Sequence, residues 1–517
     1  MNIGDMLRRS AERLPDKPAL IMGEASLTYG QFNRRANRLA NALMAQGLKK
    51  GDRVAVLTNN CIEFFEIYLA LCKSGGVMVP INNLLRLGEM NRIVDYIEPR
   101  FIIYHRDFQE LVTQVMLDNP CLEKAVCLGG ESATDHLDYE ALMAGASEAE
   151  PGVEIRGEDL MSIFLTSGTT GRPKGALRTH HHNCLNALSA AIEVGVRPDD
   201  RVLLLFPFYH VTFEDRFCHM MLGNTFVLRR EGSFDPAQVL DLLTRHRITI
   251  CQFVPTMISS MLDNKDIETY DLSALRLILY AAAPMPVELL KKAMGRFRCG
   301  FMQFYGQTET GPMTTILRPE DHVLEGPPEQ VERLASCGRP VLNFDTRVVD
   351  EAGRDVPPGR VGELVVRSES AVSGYWRLPE ESAAAMKDGW LHTGDYARRD
   401  AEGFIFIVDR KGDMIISGGK NIYPREIEEV LYQHPAVREA MVIGVPDPHW
   451  GESVKAIVVL HEGAKLEPAE LIEHCKANLA SYKKPRTVEF WDSLPKSPTG
   501  KLLKRVVRDQ FRAGETA

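Results

Sequence analysis

The stretch 165-LTSGTTGRPKG-175 places three glycines, four hydroxyl side chains and one lysine within eleven residues. Backbone N–H groups in a glycine-rich turn can converge on an anion, hydroxyls add donors, and a lysine adds a point charge. The composition predicts a loop that holds phosphate. It is not a P-loop, because that pattern has Gly before the lysine and Ser or Thr after it. Here Pro173 and Gly175 flank Lys174. Ahead of the loop, 161-MSIFLT-166 reads as a strand; behind it, 176-ALRTHHHNCLNALSAA-191 reads as helix. The same alternation recurs along the chain. Helical spacing over 31–47 stops at Gly47 and is followed by strand 53–57, helix 62–74 and strand 77–81. Further strands are expected at 124–128, 202–206, 248–254 and 276–281. Strands alternating with helices predict layered α/β sheets with mostly parallel strands.

Between about 330 and 408 the texture changes to short alternating strands with turn signals, such as 346-TRVVDEAGRDVPPGRVGELVVRS-368, closed by 404-FIFIVDR-410. After 413 the α/β pattern restarts: helix 424–433, strands 439–445 and 454–460, helix 467–479 and strand 487–491. These hundred residues are enough for a small domain. The junction 409-DRKGDM-414 contains Gly412, which suits either a hinge or an ordinary turn.

Bulk properties narrow the function. A chain of 517 residues is long enough for several domains, and its net charge of −9 gives no general attraction to nucleic acid or to an anionic membrane. The ten cysteines form no C-x-x-C pair, so neither a zinc site nor a redox dithiol is indicated; such scatter fits a reducing compartment. The N-terminus reads as an amphipathic helix without the apolar core of a signal peptide, and the longest apolar runs, such as 202-VLLLF-206, are far too short to span a membrane. A cytoplasmic protein is expected. That expectation leaves room for peripheral membrane contact and for a homodimer.

Three further clusters carry chemistry. The segment 305-YGQTET-310 offers an aromatic face, a hydroxyl and a carboxylate after strand-like 301-FMQF-304. Ligands of open α/β sheets sit at the carboxyl ends of strands, and a single carboxylate such as Glu309 suits Mg²⁺ on a polyphosphate. The bland alternative is a capped turn before a helix. In 389-GWLHTGDYARRDAEGFIFIVDR-410, Asp395 and Arg410 flank a hairpin turn at Glu402–Gly403. A carboxylate and a guanidinium can share the hydroxyls of a ribose, or form a surface ion pair. Near the end, 494-LPKSPTGKLLKR-505 sets Lys501 behind a Pro/Gly turn, in what would otherwise be a solvated basic tail.

Taken in order, 166-TSGTTGRPKG-175, 305-YGQTE-309, 393-TGD-395, 409-DRKGDMIISGGKNIYPREIE-428 and 495-PKSPTGK-501 resemble the adenylate-forming superfamily, which includes acyl-CoA synthetases, firefly luciferase and peptide-synthetase adenylation domains. The segments 27-LTYGQF-32 and 73-KSGGVMVPIN-82 extend the likeness almost end to end. The resemblance implies an ATP-dependent acyl-CoA synthetase. A carboxylic acid and ATP would give acyl-AMP and pyrophosphate, and coenzyme A would then take the acyl group. By position, Thr166, Ser167, Gly168, Thr169, Thr170 and Lys174 match the loop on the ATP phosphates. Thr308 matches an α-phosphate contact and Glu309 the Mg²⁺ ligand; Tyr305, Gly306 and Ala281, Ala282, Ala283 and Pro284 match the adenine and acyl site. Asp395 and Arg410 match the ribose contacts, His210 the histidine of the aromatic gate 206-FPFYHVTF-213, and Lys501 the catalytic lysine. Gly418, Gly419 and Lys420 match the path of the coenzyme A arm. The implied organisation is an adenylation domain over 1–409, a hinge at 410–413 and a mobile α+β domain over 414–517.

This chain departs from the family at a few places. Many members have Gly where Phe213 stands and at 281–282, so both changes are expected to narrow the acyl site. Arg216 is open to two readings, an acyl-tail contact or a solvated helix face. Gly412 replaces a Lys or Asp, which removes a side-chain latch from the hinge. Two competing functions remain, loading of an acyl carrier protein and nucleotide binding without turnover. The stretch 417-SGGKNIYP-424 speaks for coenzyme A, and intact Glu309, Asp395, Arg410 and Lys501 speak for turnover.

Overall fold

The computed structural model describes residues 1–130, 135–167, 173–230, 232–410, 412–497 and 502–513. Two large sheets lie in layers. The seven-stranded sheet runs Leu137–Asp138, Lys124–Leu128, Phe101–His105, Arg53–Leu57, Val77–Pro80, Leu160–Ser167 and Pro173–Thr179. It is parallel as far as Leu160–Ser167, which then pairs antiparallel with Pro173–Thr179. The nine-stranded sheet has a parallel centre: Gly300–Gln307, Leu277–Tyr280, Ile250–Phe253, Arg201–Leu204, Thr225–Leu228 and Pro18–Met22. Its margins, Gly311–Leu317 with Arg339–Pro340 and Ala25–Thr28, are antiparallel.

One core fills the space between these sheets. It joins Val54, Val56, Met78 and Phe101 of one sheet to Leu204, Phe226, Leu279 and Met302 of the other. The helix Ile62–Ser74 lies within this layer, which explains its nearly unbroken apolar sequence. It ends at Gly75, whose φ of +79° closes the last turn. Separate clusters cover the outer faces of the two sheets. Alternation along each strand sorts the residues: Cys251 and Phe253 face the outer cluster, while Ile250 faces the inner one.

The antiparallel region is a five-stranded sheet of Asp345–Val349, Gly362–Arg367, Trp390–Arg399, Met386–Lys387 and Ile405–Arg410. The C-terminal part has its own five-stranded sheet and its own core. The expected fold class stands: layered α/β sheets, a β-rich subdomain and a small α+β unit. One local expectation and one bland alternative fail. Residues 176–179 continue a strand, and the helix His180–Glu193 begins only after it. Strand pairing with Leu160–Ser167 overrides the helical spacing there. The turn at 308–310 leads into an antiparallel strand, not a helix.

Candidate active site

The strands Leu160–Ser167 and Pro173–Thr179, on either side of the glycine-rich stretch, pair antiparallel. Ladder pairing continues through Thr166↔Lys174 to Ser167↔Pro173. Gly168, Thr169 and Thr170 lie outside the described residues, as does Lys501. Lys174 Nζ stands 5.1 Å from the centre of the Tyr375 ring. The Tyr375 hydroxyl donates to Glu309 Oε1 at 3.0 Å, and Val372 N donates to the Glu309 carbonyl at 2.8 Å. Tyr375 therefore couples the exit of the loop to the carboxylate, a link the sequence reading missed. Burial, with Glu309 alongside, pushes the Tyr375 hydroxyl pKa up, so it stays a donor.

Glu309 reaches this place because Gly300–Gln307 carries it past the edge of the nine-stranded sheet. The hairpin there is tight. A Cβ on Gly306 would stand 2.4 Å from the carbonyl oxygen of Pro312 and 2.5 Å from that of Gly311, so only glycine fits. Thr308 lies in the same turn, half-buried. Tyr280 pairs with Gln303, so 281–284 leave the sheet beside Phe304–Gly306. Ala282 adopts a φ of +68°, a conformation costly for a residue with a Cβ. Glycine would sit there without strain.

Asp395 is the best-held carboxylate of the cluster. It is 3% exposed and stands directly across the hairpin from Arg410. Its Oδ2 accepts from the Tyr305 hydroxyl at 2.6 Å and from Gln307 Nε2 at 2.8 Å; its Oδ1 lies 3.2 Å from Arg410 Nε. A carboxylate has about four acceptor positions, so Oδ1 retains one for a ligand hydroxyl. Arg410, 55% exposed, keeps donors free. These contacts tie the β-rich sheet to the carboxyl end of Gly300–Gln307.

The segment 206–213 leads into the short 3₁₀ helix Val211–Asp215. His210 caps it, and Nδ1 lies 3.4 Å from Thr212 N and 3.2 Å from Thr212 Oγ1. The Phe213 ring packs 4.9 Å from Phe64, 4.8 Å from Phe65 and 5.0 Å from Tyr68, centre to centre. Arg216 does not lie on a solvated helix face. It is 5% exposed, and its Nη2 donates to Gln252 Oε1 at 3.2 Å.

The C-terminal residues separate from this cluster. Gly418 and Gly419, at φ +56° and +73°, make the turn between Ile415–Ser417 and Lys420–Ile422. A Cβ on Gly418 would meet the Trp450 ring at 2.7 Å. Lys420 Nζ stands 4.4 Å from the centre of the Tyr482 ring. Among the described residues, no hydrogen bond or ion pair joins Gly418–Lys420 to Asp395 or Glu309. At the junction, where Gly412 offers no side chain of its own, Arg508 Nη1 donates to the Gly412 carbonyl at 2.6 Å and pairs with Asp413.

The AMP-binding enzyme family matches residues 7–376, and its C-terminal domain matches 426–501. The chain belongs to the AMP-binding enzyme family. A feruloyl-CoA synthase of Amycolatopsis sp is 36% identical over 511 residues, 98% of this chain and 99% of that protein. A fatty acid–[acyl-carrier-protein] ligase of Streptomyces coeruleorubidus is 35% identical over 97% of this chain and 95% of that protein. An anthranilate CoA ligase in complex with anthranoyl-AMP superposes with a TM-score of 0.93 at 30% identity, covering 100% of this chain and 98% of the other. Among the described residues of this AMP-binding enzyme, no group of three or more His, Cys, Asp and Glu could hold a metal, and no helix is long and apolar enough to cross a membrane. Glu309 nevertheless fits Mg²⁺. Tyr375 occupies Oε1 only, and Mg²⁺ on a nucleotide takes one or two carboxylates, with phosphate and water completing its shell.

Proposed function

We propose that this chain joins a carboxylic acid to coenzyme A through an acyl adenylate, with ATP giving AMP and pyrophosphate. The observation that carries the reading is the convergence of Asp395, Arg410, Tyr305, Glu309, Tyr375 and Lys174 at the carboxyl end of one strand in an AMP-binding enzyme. Asp395 Oδ1 and Arg410 hold the ribose, and Tyr305 flanks the base. Lys174, with the loop 166–170, steadies the β- and γ-phosphates. Glu309 would hold Mg²⁺, which neutralises charge on the phosphates when bound. Thr308 and Lys501 act at the α-phosphate, where a carboxylate must approach a second anion; an ammonium at that point lowers the repulsion. His210 stands at the acyl gate.

Rotation of 414–517 about 410–413 would then withdraw Lys501 and bring Gly418, Gly419 and Lys420 to the site, where glycines let the thin arm of coenzyme A pass. The reading places the enzyme in the cytoplasm and is compatible with a homodimer. A second reading, transfer to an acyl carrier protein, draws support from the Streptomyces coeruleorubidus relative. The test offers both acceptors with ATP and a panel of acids. Acyl-CoA and AMP in equal amounts are expected. Acylation of the carrier protein alone would favour the second reading, and no product with any acid would sink both.

A further inference from the structure

Two buried arginines adjoin the turn Val211–Asp215, and they are treated differently. Arg178, 0% exposed, has a full set of partners: Nε donates to Glu214 Oε2 at 2.9 Å, Nη2 to Asn183 Oδ1 at 3.1 Å and Nη1 to the Ser370 carbonyl at 3.2 Å. Glu214 is in turn satisfied by Tyr68 and Ser162, each at 2.7 Å. Arg216 is nearly as buried, yet its one hydrogen-bond partner among the described residues is the neutral amide of Gln252. No carboxylate of the described residues lies within 4.0 Å of its nitrogens. Its neighbour Asp215 attracts it electrostatically but lies in no ion pair with it; among the described residues Asp215 Oδ2 is enclosed and without a hydrogen-bond partner, and burial pushes that carboxyl up to about 7. A buried guanidinium whose counter-charge makes no contact with it is costly, and such a charge is ordinarily paired.

The position of this guanidinium gives it a use. Gln252 pairs in register with Leu279, and Leu279 with Met302. Its neighbours Cys251 and Phe253 face the outer cluster, so Gln252 faces the inner layer with Ile250, Leu279, Ala281 and Met302. Ala281 opens the 281–284 segment beside Tyr305. Because Gln252 turns its oxygen to Arg216, its Nε2 remains a donor. Arg216 and Gln252 thus put donors in the layer between the two sheets, next to the turn that His210 caps, where an anionic acceptor would satisfy them.

We infer that Arg216, with Gln252, recognises a second carboxylate at the far end of the acyl substrate, so that the preferred acids are dicarboxylic and only the carboxylate beside the nucleotide is activated. The inference rests on the acyl-CoA synthetase reading. A site built to bind a polar group rejects analogues that lack it, because its own donors are left unpaired.

The test compares straight-chain dicarboxylic acids with monocarboxylic acids of equal length, by kcat/KM for pyrophosphate release. One dicarboxylic acid is expected to exceed its monocarboxylic counterpart at least tenfold, and Arg216→Met should lower that ratio on the order of a hundredfold. Gln252→Leu should lower it less, and serves if the arginine variant does not fold. The shift in melting temperature caused by the dicarboxylic acid alone reads binding without turnover and should vanish in Arg216→Met. Turnover of monocarboxylic acids with a ratio unmoved by both substitutions, or no shift with any dicarboxylic acid, would overturn the inference and leave the synthetase reading intact. Failure of every acid to release pyrophosphate, with the shift present, would sink only that reading.

Discussion

Asp395 accepts three protein contacts and keeps one acceptor position for a further donor. Ala282 is the opposite case, a side chain at a φ of +68° where glycine is at ease. Ala282→Gly should therefore stabilise the protein by about 1 kcal/mol, read from the denaturation midpoint; a loss would show that the methyl packs usefully. His322 predicts a pH effect. A carbonyl only accepts, so Nδ1 donates to Arg318 O at 2.8 Å, and Nε2 accepts from the Tyr280 hydroxyl at 2.9 Å. Burial lowers its pKa to about 4. The unfolded chain takes up a proton below the ordinary value of about 6.5 while the folded chain does not, so this share of stability is complete above about 6.5 and is lost as pH falls toward 4, at up to about 1.4 kcal/mol per unit. His322→Gln should show a shallower fall of melting temperature over that range, and an equal fall would refute the assignment. Asp395 and Arg410 were legible from their spacing about a hairpin turn. The burial of Arg216 was not, because one charged residue on a short helix carries no periodic signal.

At the scale of elements, the strands Leu160–Ser167 and Pro173–Thr179 flank the glycine-rich stretch, and the turn after Gly300–Gln307 presents Glu309. Tyr375 joins them. Tyr375→Phe should leave the fold intact, lower pyrophosphate release about tenfold and raise the Mg²⁺ concentration needed for half-maximal rate. An unchanged Mg²⁺ dependence would mean that the hydroxyl does not position Glu309. Glycines, hydroxyls, Lys174 and the preceding strand made the loop legible as a candidate for phosphate. Its partner was not, since Tyr375 lies some two hundred residues downstream in an irregular segment held by Trp376 N bonding to the Gly175 carbonyl at 2.7 Å. The strand at 176–179 was misjudged for a similar reason: its pairing across the loop decides its conformation, and local spacing does not.

At the scale of the whole molecule, the division into two large sheets, a β-rich subdomain and a C-terminal unit follows from alternation of strand and helix patterns, which survives in the sequence because each sheet face buries its own apolar set. The relation between the units is less legible, because it rests on single long contacts, such as Arg425 Nη1 to the Ile407 carbonyl at 2.7 Å and Arg508 to the Gly412 carbonyl. If the C-terminal unit serves the two half-reactions in turn, Lys501→Ala should abolish adenylate formation yet spare thioester formation from supplied acyl adenylate; equal loss of both would count against alternation. The central claim is that the cluster around Asp395 and Glu309 makes an acyl adenylate. It is tested most directly by exchange of labelled pyrophosphate into ATP without coenzyme A. The account predicts exchange that requires an acid and falls on the order of a hundredfold in Asp395→Asn. Exchange that needs no acid, or that the substitution leaves unchanged, would contradict it.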